Sequence, residues 1–227
     1  MEVSKNIFKA YDIRGIYEKE LTISSVKLIA KSLSEIYKKG NDKIVIGRDG
    51  RLSSETLSNA LIEGFLESGK DIIDIGQVPT PLLYYAVNYF RLNSGIIITG
   101  SHNPKDYNGL KLVINDKPVA GTEMLDLIDS ISKDDYIDAE IERIDFLNQY
   151  VSEITGSLEI DKNLKVVIDC GNGAAGAVAP LLFKKIGVKL SELFSEVDGN
   201  FPNHHPDPSK PENLKDLINK VLEENAD

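Results

Sequence analysis

Tryptophan is absent from the 227-residue chain, methionine occurs twice and cysteine once. A lone cysteine, Cys170, rules out a disulfide within the chain, and a reducing cytoplasm is the compartment that fits. Long apolar runs are missing too, since no window approaches the roughly 18 uninterrupted apolar residues of a membrane span. The opening, Met1-Glu2-Val3-Ser4-Lys5-Asn6, lacks the basic-then-apolar order of a secretory signal. Positive charge is in deficit, with 26 Lys and Arg against 36 Asp and Glu and a formal net charge of −10. That balance argues against non-specific binding to nucleic acid or to an anionic membrane. A phosphorylated small molecule remains open, because a few local cations decide its binding. What is present is 41% hydrophobic and 27% charged residues, the composition of a globular chain of one or two domains.

Apolar runs of strand length alternate with stretches of helical period, which predicts an α/β fold with a mixed, largely parallel sheet flanked by helices. Lys43–Gly47, Asp71–Ile75, Gly95–Thr99 and Leu110–Ile114 read as strands, the last followed by a turn at Asn115-Asp116. Leu57, Leu61, Ile62, Phe65 and Leu66 make a helical face over Ser53–Glu67. Thr80-Pro81 reads as an N-cap followed by proline at the first helical position. The stretch from Asp134 to Asp145 reads as a solvated acidic connector, with a helix from Asp145 to Thr155 after it. The pattern then restarts with a strand at Leu164–Asp169, a glycine-rich turn and a helix near Ala175–Ile186. The expected domains are therefore 1–155 and 156–227, the second an incomplete α/β unit of similar type. Four prolines between Phe201 and Pro211 exclude a regular helix or central strand there, and a last helix is expected over Glu212–Glu224.

The strand ending at Thr99 delivers Gly100 and Ser101 to the carboxyl edge of the sheet, where open α/β folds bind ligands. Gly100 lets a bulky anion approach the backbone. Ser101 supplies a hydroxyl fit to be a nucleophile or a phosphate carrier, and His102 and Asn103 supply donors. Lys111 returns to the same edge if Asn108-Gly109 forms the turn. The competing reading is a plain polar turn after a strand. A serine hydrolase is disfavoured, because the Gly-x-Ser-x-Gly elbow is absent and a triad histidine comes from elsewhere in a chain.

The run Thr99-Gly100-Ser101-His102-Asn103-Pro104-Lys105-Asp106-Tyr107-Asn108-Gly109-Leu110-Lys111 resembles the phosphoserine loop of the α-D-phosphohexomutases, in particular their bacterial phosphomannomutase/phosphoglucomutase branch. Phe8–Gly15, Gly47–Arg51 and Val167–Ala174 are similar to three further motifs of that family, in the same order. The resemblance implies that Ser101 carries a phosphoryl group and passes it to a hexose phosphate, through a bisphosphorylated sugar. It implies Mg2+ held through the Ser101 phosphate, a hexose bisphosphate as activator, and Lys111 as general acid/base. By the same resemblance His102 and Asn103 orient the phosphoserine, Tyr11 and Arg14 line the cleft, and Arg48 gives weaker support. Against these roles, Arg14 and Arg48 are also placed to form simple salt bridges with Asp12 and Asp49. The family's aspartate-rich metal loop and its sugar-recognition and phosphate-clamping domains are not found before Asp227. The expectation is therefore an N-terminal fragment, inactive alone, with oligomeric state and sugar preference open.

Gly171-Asn172-Gly173-Ala174-Ala175-Gly176 matches G-x-G-x-x-G after a strand, with Glu196 beyond it, and makes an NAD-dependent enzyme the alternative from another class. A phosphate-binding domain without catalysis and a phosphatase using Ser101 are the remaining ones. His204-His205 beside Asp207 reads as an extended crossover rather than a metal site, since adjacent side chains diverge in extended backbone. Tyr84, Tyr85 and Tyr89 read as packing on one side of a helix.

Overall fold

The computed structural model describes residues 3–36, 43–114, 117–118 and 139–227. The turn expected at Asn115-Asp116 and residues 134–138 of the acidic connector lie outside them. Among the described residues one seven-stranded sheet organises the first unit, in the order β1 (Ile13–Ile16), β5 (Tyr107–Ile114), β4 (Ser94–Ile98), β2 (Ile44–Arg48), β3 (Ile72–Gln77), β7 (Ile141–Arg143), with β6 (Lys117–Pro118) pairing β5. β4, β2, β3 and β7 run parallel, while β5 is antiparallel to both β4 and β1. The sheet is thus mixed and largely parallel, as the alternation of elements predicts.

Side-chain alternation divides the core into two layers. Ile44, Ile46, Ile96, Ile98, Leu110 and Leu112 face α1 (Ile23–Ile36) and α2 (Ser54–Leu66). Val45, Ile97, Val113 and Ile73 face the opposite side, where α3 (Thr80–Tyr89), Phe146 and α4 (Leu147–Gly156) cover them. Strands buried on both faces read as unbroken apolar runs, which is why Ile96-Ile97-Ile98 carries no polar residue. Each fully buried Ile contributes about 1.5–3 kcal/mol relative to exposure. Val26, Ile29, Ala30 and Leu33 give α1 its apolar face. α3 starts one residue earlier than expected: Pro79 occupies the cap position and Thr80 is already helical. The described end of the acidic connector carries the edge strand β7, whose Ile141 partners Ile72 of β3 across the ladder.

The second unit pairs β8 (Lys165–Asp169) with β9 (Lys189–Leu193) in parallel. Its helices are α5 (Ala179–Ile186) and α6 (Lys215–Glu224). The helix expected near Ala175 begins as a 3-10 turn at Ala174–Ala177, and the last helix is likewise preceded by one at Pro211–Leu214. No helix among the described residues is long and apolar enough to cross a membrane.

Candidate active site

β4 ends at Ile98, and the chain then makes its turn over residues 99–106, not at Asn108-Gly109, which lie inside β5. Ser101 sits in that turn with φ of +52°, a left-handed conformation that few non-glycine residues adopt. Its backbone N–H donates to Thr99 Oγ1 at 3.0 Å, and Asn103 Nδ2 donates to the Gly100 carbonyl at 2.9 Å. Neither bond on its own explains why the loop holds one shape.

Arg51 does. Its side chain is 1% exposed and lies beneath the loop. Nη1 donates to the carbonyls of Pro104 (2.6 Å) and Tyr107 (3.0 Å), and Nη2 to those of Ser101 (2.9 Å) and Asn103 (2.7 Å). A planar fork of fixed donors matches four inward-turned carbonyls as no other side chain can. Nε lies 3.3 Å from Asp49 Oδ2, near enough for charge attraction yet without a hydrogen bond of its own. Asp49 also accepts the backbone N–H groups of Gly100 and Arg51 and the Ser54 hydroxyl. Burial draws the Arg51 pKa below its ordinary value, with Asp49 opposing. An arginine is still charged there.

Gly100 is required by this arrangement. A Cβ there would lie 2.3 Å from Arg51 Nε and 2.4 Å from Cζ, in a guanidinium fixed by its bonds. Gly100→Ala is therefore expected to lower unfolding stability by about 1–3 kcal/mol, as other overpacked sites do. Urea denaturation measures it, and an unchanged midpoint would show that the guanidinium gives way freely.

Lys111 lies on β5, and its Nζ is 3.1 Å from Asp12 Oδ2. The same carboxylate oxygen takes Arg14, with Nη2 at 2.7 Å and Nε at 2.8 Å. Asp12 is only 3% exposed, so a nearly buried carboxylate holds two cations side by side. That is the Arg14–Asp12 pair allowed for above. Arg48 instead reaches Gln77 Oε1, at the limit of 3.5 Å, and Asp49 is the partner of Arg51.

A cleft of about 540 Å³ opens between the two units. Ser101, His102 and Lys111 line it from the first unit, with Arg51 at its base and Tyr84 at its rim; Asp169, His204 and Asp207 line it from the second. Tyr11 is 85% exposed, and Tyr11, Arg14, Asn103 and Arg48 are not among its lining residues. Arg14 reaches it only through Asp12. Tyr85 and Tyr89 pack with Phe146 as expected, whereas Tyr84 does not. The units meet closely beside the cleft. A Cβ on Gly50 would strike Val197 at 2.1 Å, one on Gly199 would strike the Leu52 nitrogen at 2.5 Å, and the Phe201 ring lies 5.3 Å from the Arg51 guanidinium carbon.

Arg51, Asp12 and Asp169 belong to the site without being singled out by sequence reasoning, and His204, read there as part of an extended crossover, lines the cleft. Arg51 closes the Gly47–Arg51 motif, so its position in that run was the available signal. The G-x-G-x-x-G turn is used structurally. Asn172 is left-handed and buried, its N–H on the Phe194 carbonyl and its amide on that of Glu196, and a Cβ on Gly176 would meet the Ser195 carbonyl at 2.0 Å. α5 starts only at Ala179, beyond the motif, so the turn does not present a helix N-terminus as a dinucleotide turn does. Cys170 lines the cleft too, but burial pushes its thiol above the ordinary value, away from a reactive thiolate. Among the described residues no three His, Cys, Asp or Glu side chains converge to hold a metal.

Known proteins of one family resemble this chain. Residues 5–137 match the family description "Phosphoglucomutase/phosphomannomutase, alpha/beta/alpha domain I", and residues 145–227 match its "alpha/beta/alpha domain II". A phosphomannomutase/phosphoglucomutase of Pseudomonas aeruginosa is 47% identical over 225 residues, covering 98% of this chain and 49% of that protein. A phosphoglucomutase of Neisseria meningitidis serogroup B is 44% identical over 221 residues, covering 95% and 48%. The crystal structure of a phosphoglucomutase/phosphomannomutase family protein from Burkholderia thailandensis superposes with a TM-score of 0.91 at 42% identity, over 100% of this chain and 52% of that one. The chain thus spans about half the length of the curated relatives it matches.

Proposed function

The chain belongs to the phosphoglucomutase/phosphomannomutase family, and we propose that it supplies the phosphoryl-carrying half of an enzyme interconverting hexose 1-phosphate and hexose 6-phosphate. The observation that carries this reading is Ser101, fixed in a left-handed turn over the buried Arg51 and lining the interdomain cleft. Phosphoryl transfer needs positioning and charge neutralisation more than covalent activation, and a preorganised loop supplies the first.

In this reading the Ser101 Oγ–P bond breaks as a sugar hydroxyl oxygen bonds to the same phosphorus. Lys111, a cation held by Asp12, gives a proton to Ser101 Oγ as the Oγ–P bond breaks and recovers one from the sugar hydroxyl whose oxygen takes the phosphorus, and the reverse transfer runs the same way backwards. His102 lines the cleft wall next to Ser101 and orients the phosphoserine. Asn103 acts on the loop, since its amide holds the Gly100 carbonyl. Arg14 shares Asp12 and steadies Lys111. Tyr11 and Arg48 are not among the cleft-lining residues and serve at its periphery. A hexose bisphosphate primes Ser101, and the cytoplasm is where such sugar phosphates are handled. Magnesium, when bound, neutralises phosphoryl charge. The described residues do not by themselves fit it, because Asp169 and His204 are spent on each other and no carboxylate cluster faces Ser101. Among the described residues, the contact with the ion is through the Ser101 phosphate.

Incubation of the purified chain with glucose 1,6-bisphosphate tests the reading. Mass spectrometry is expected to find one phosphoryl group, on Ser101, with sugar isomerisation absent until the chain is joined to the rest of a polypeptide of the relatives' length. Steady turnover by the 227 residues alone would overturn the second half of that statement, and release of inorganic phosphate without isomerisation would overturn the first.

A further inference from the structure

His204 has no place in the reaction above, yet its ring is 16% exposed and faces the Asp169 carboxylate, itself 6% exposed. Nε2 lies 3.1 and 3.2 Å from the two Asp169 oxygens, and Nδ1 lies 3.0 Å from the His205 carbonyl oxygen. Carboxylates and carbonyls only accept, so both ring nitrogens must carry a proton and the ring is an imidazolium. Burial opposes that charge, but the His205 carbonyl and Asp169 together hold the ring above the ordinary histidine value.

The consequence lies two residues on. The His205 carbonyl also accepts the Asp207 N–H at 2.8 Å, and Asn213 Nδ2 donates to the Asp207 carbonyl at 2.8 Å. These bonds, with two prolines, hold a tight turn whose remaining carbonyl, that of Pro206, points across the cleft. It lies 3.0 Å from His102 Nδ1. A carbonyl cannot donate, so His102 must carry its proton on Nδ1 whether the ring is neutral or charged. Among the described residues no hydrogen bond engages His102 Nε2.

We infer that His204 is a positioning residue: clamped on Asp169, it fixes the Pro206 carbonyl, which takes the His102 Nδ1 proton and so sets the tautomer and orientation of the His102 ring in the cleft that Ser101 lines. This rests on the proposed role of Ser101. It makes the correct setting of His102 depend on the second unit being docked, although His102 belongs to the first.

The chain has three histidines, so long-range proton–nitrogen spectra of the 15N-labelled protein separate them, with exposed His205 as internal control. His204 is expected to show two protonated nitrogens at neutral pH, and neutral His102 the Nδ1–H tautomer, against the Nε2–H preference of a free imidazole. In folded His204→Gln and Asp169→Asn, His102 should revert toward Nε2–H. An Nε2–H form of His102 in the unaltered chain overturns the inference, as does a singly protonated His204, and both readings stand even if the variants fail to fold. Retention of Nδ1–H in either folded variant overturns it too. In a polypeptide with mutase turnover, His204→Gln should lower kcat about tenfold while KM stays within about twofold. Phosphorylation of Ser101 is read separately. Its failure with the expected tautomers would sink the mutase reading alone, and its success with the wrong tautomers would sink this inference alone.

Discussion

Replacing Ser101 by alanine is expected to remove all phosphoryl uptake by this chain, and to cut kcat by at least about a thousandfold in a polypeptide that isomerises hexose phosphates. A covalent carrier defines the route of transfer, and removing its oxygen removes that route. The backbone should not suffer. Alanine keeps a Cβ at the φ of +52° that serine already adopts, and the loop's four bonds to Arg51 all use backbone carbonyls. The expected pattern is therefore an unchanged urea midpoint, undiminished binding of hexose phosphate and no labelled protein after incubation with a bisphosphate. Uptake of phosphate by Ser101→Ala at the unaltered stoichiometry would place the carrier elsewhere and undo the functional reading.

Arg51→Met should have the largest structural effect. Methionine approximates the stem of arginine and removes the fork, taking its donors from four inward-turned carbonyls, of which that of Pro104 keeps the Tyr107 N–H, and leaving Asp49 without its cation. Breaking a buried charge pair while its surroundings persist costs about 3–5 kcal/mol, a large part of the stability of an ordinary domain. The loss should concentrate in the loop. Amide exchange over residues 99–107 should accelerate, while that of β2 and β4 changes far less. Arg51→Lys should recover only part of the difference, because an ammonium is a point donor and cannot span carbonyls on two sides. Removing the guanidinium also takes away the face on which Phe201 stacks, so proteolysis near residues 197–201 should quicken. A urea midpoint in Arg51→Met equal to that of the unaltered chain would show that the loop holds its shape without the fork.

The parts of the fold legible in the sequence were those whose signal is local. β2, β3 and β4 appear as apolar runs because both faces are buried, and α2 as a face of Leu57, Leu61, Ile62 and Phe65. β1 is harder to see: Ile13-Arg14-Gly15-Ile16 is four residues long, with a charge and a glycine at its centre. β9 mixes a lysine, a serine and a glutamate with two leucines and is only half-buried. The turn after β4 was placed several residues late. Asn108-Gly109 resembles a hairpin turn, yet Asn108 is buried, and its amide donates to Ser53 and Ser54 Oγ. A tertiary pair thus overrode a strong local turn signal.

The same division runs through the site. The sequence by itself determined that a serine follows a buried strand, that a glycine precedes it, and that Lys111 lies on the next strand. It determined the family through four ordered motifs. Only the tertiary structure decided that Arg51 grips carbonyls 50 or more positions away in sequence, that Asp12 joins Lys111 to Arg14, and that Asp169, His204 and Pro206 reach His102. The physical reason is the nature of the acceptors. Every residue carries an identical backbone carbonyl, so nothing in a string of side chains marks which ones will turn inward. That choice is made only when two units pack and bring donors and acceptors to within 3 Å or so.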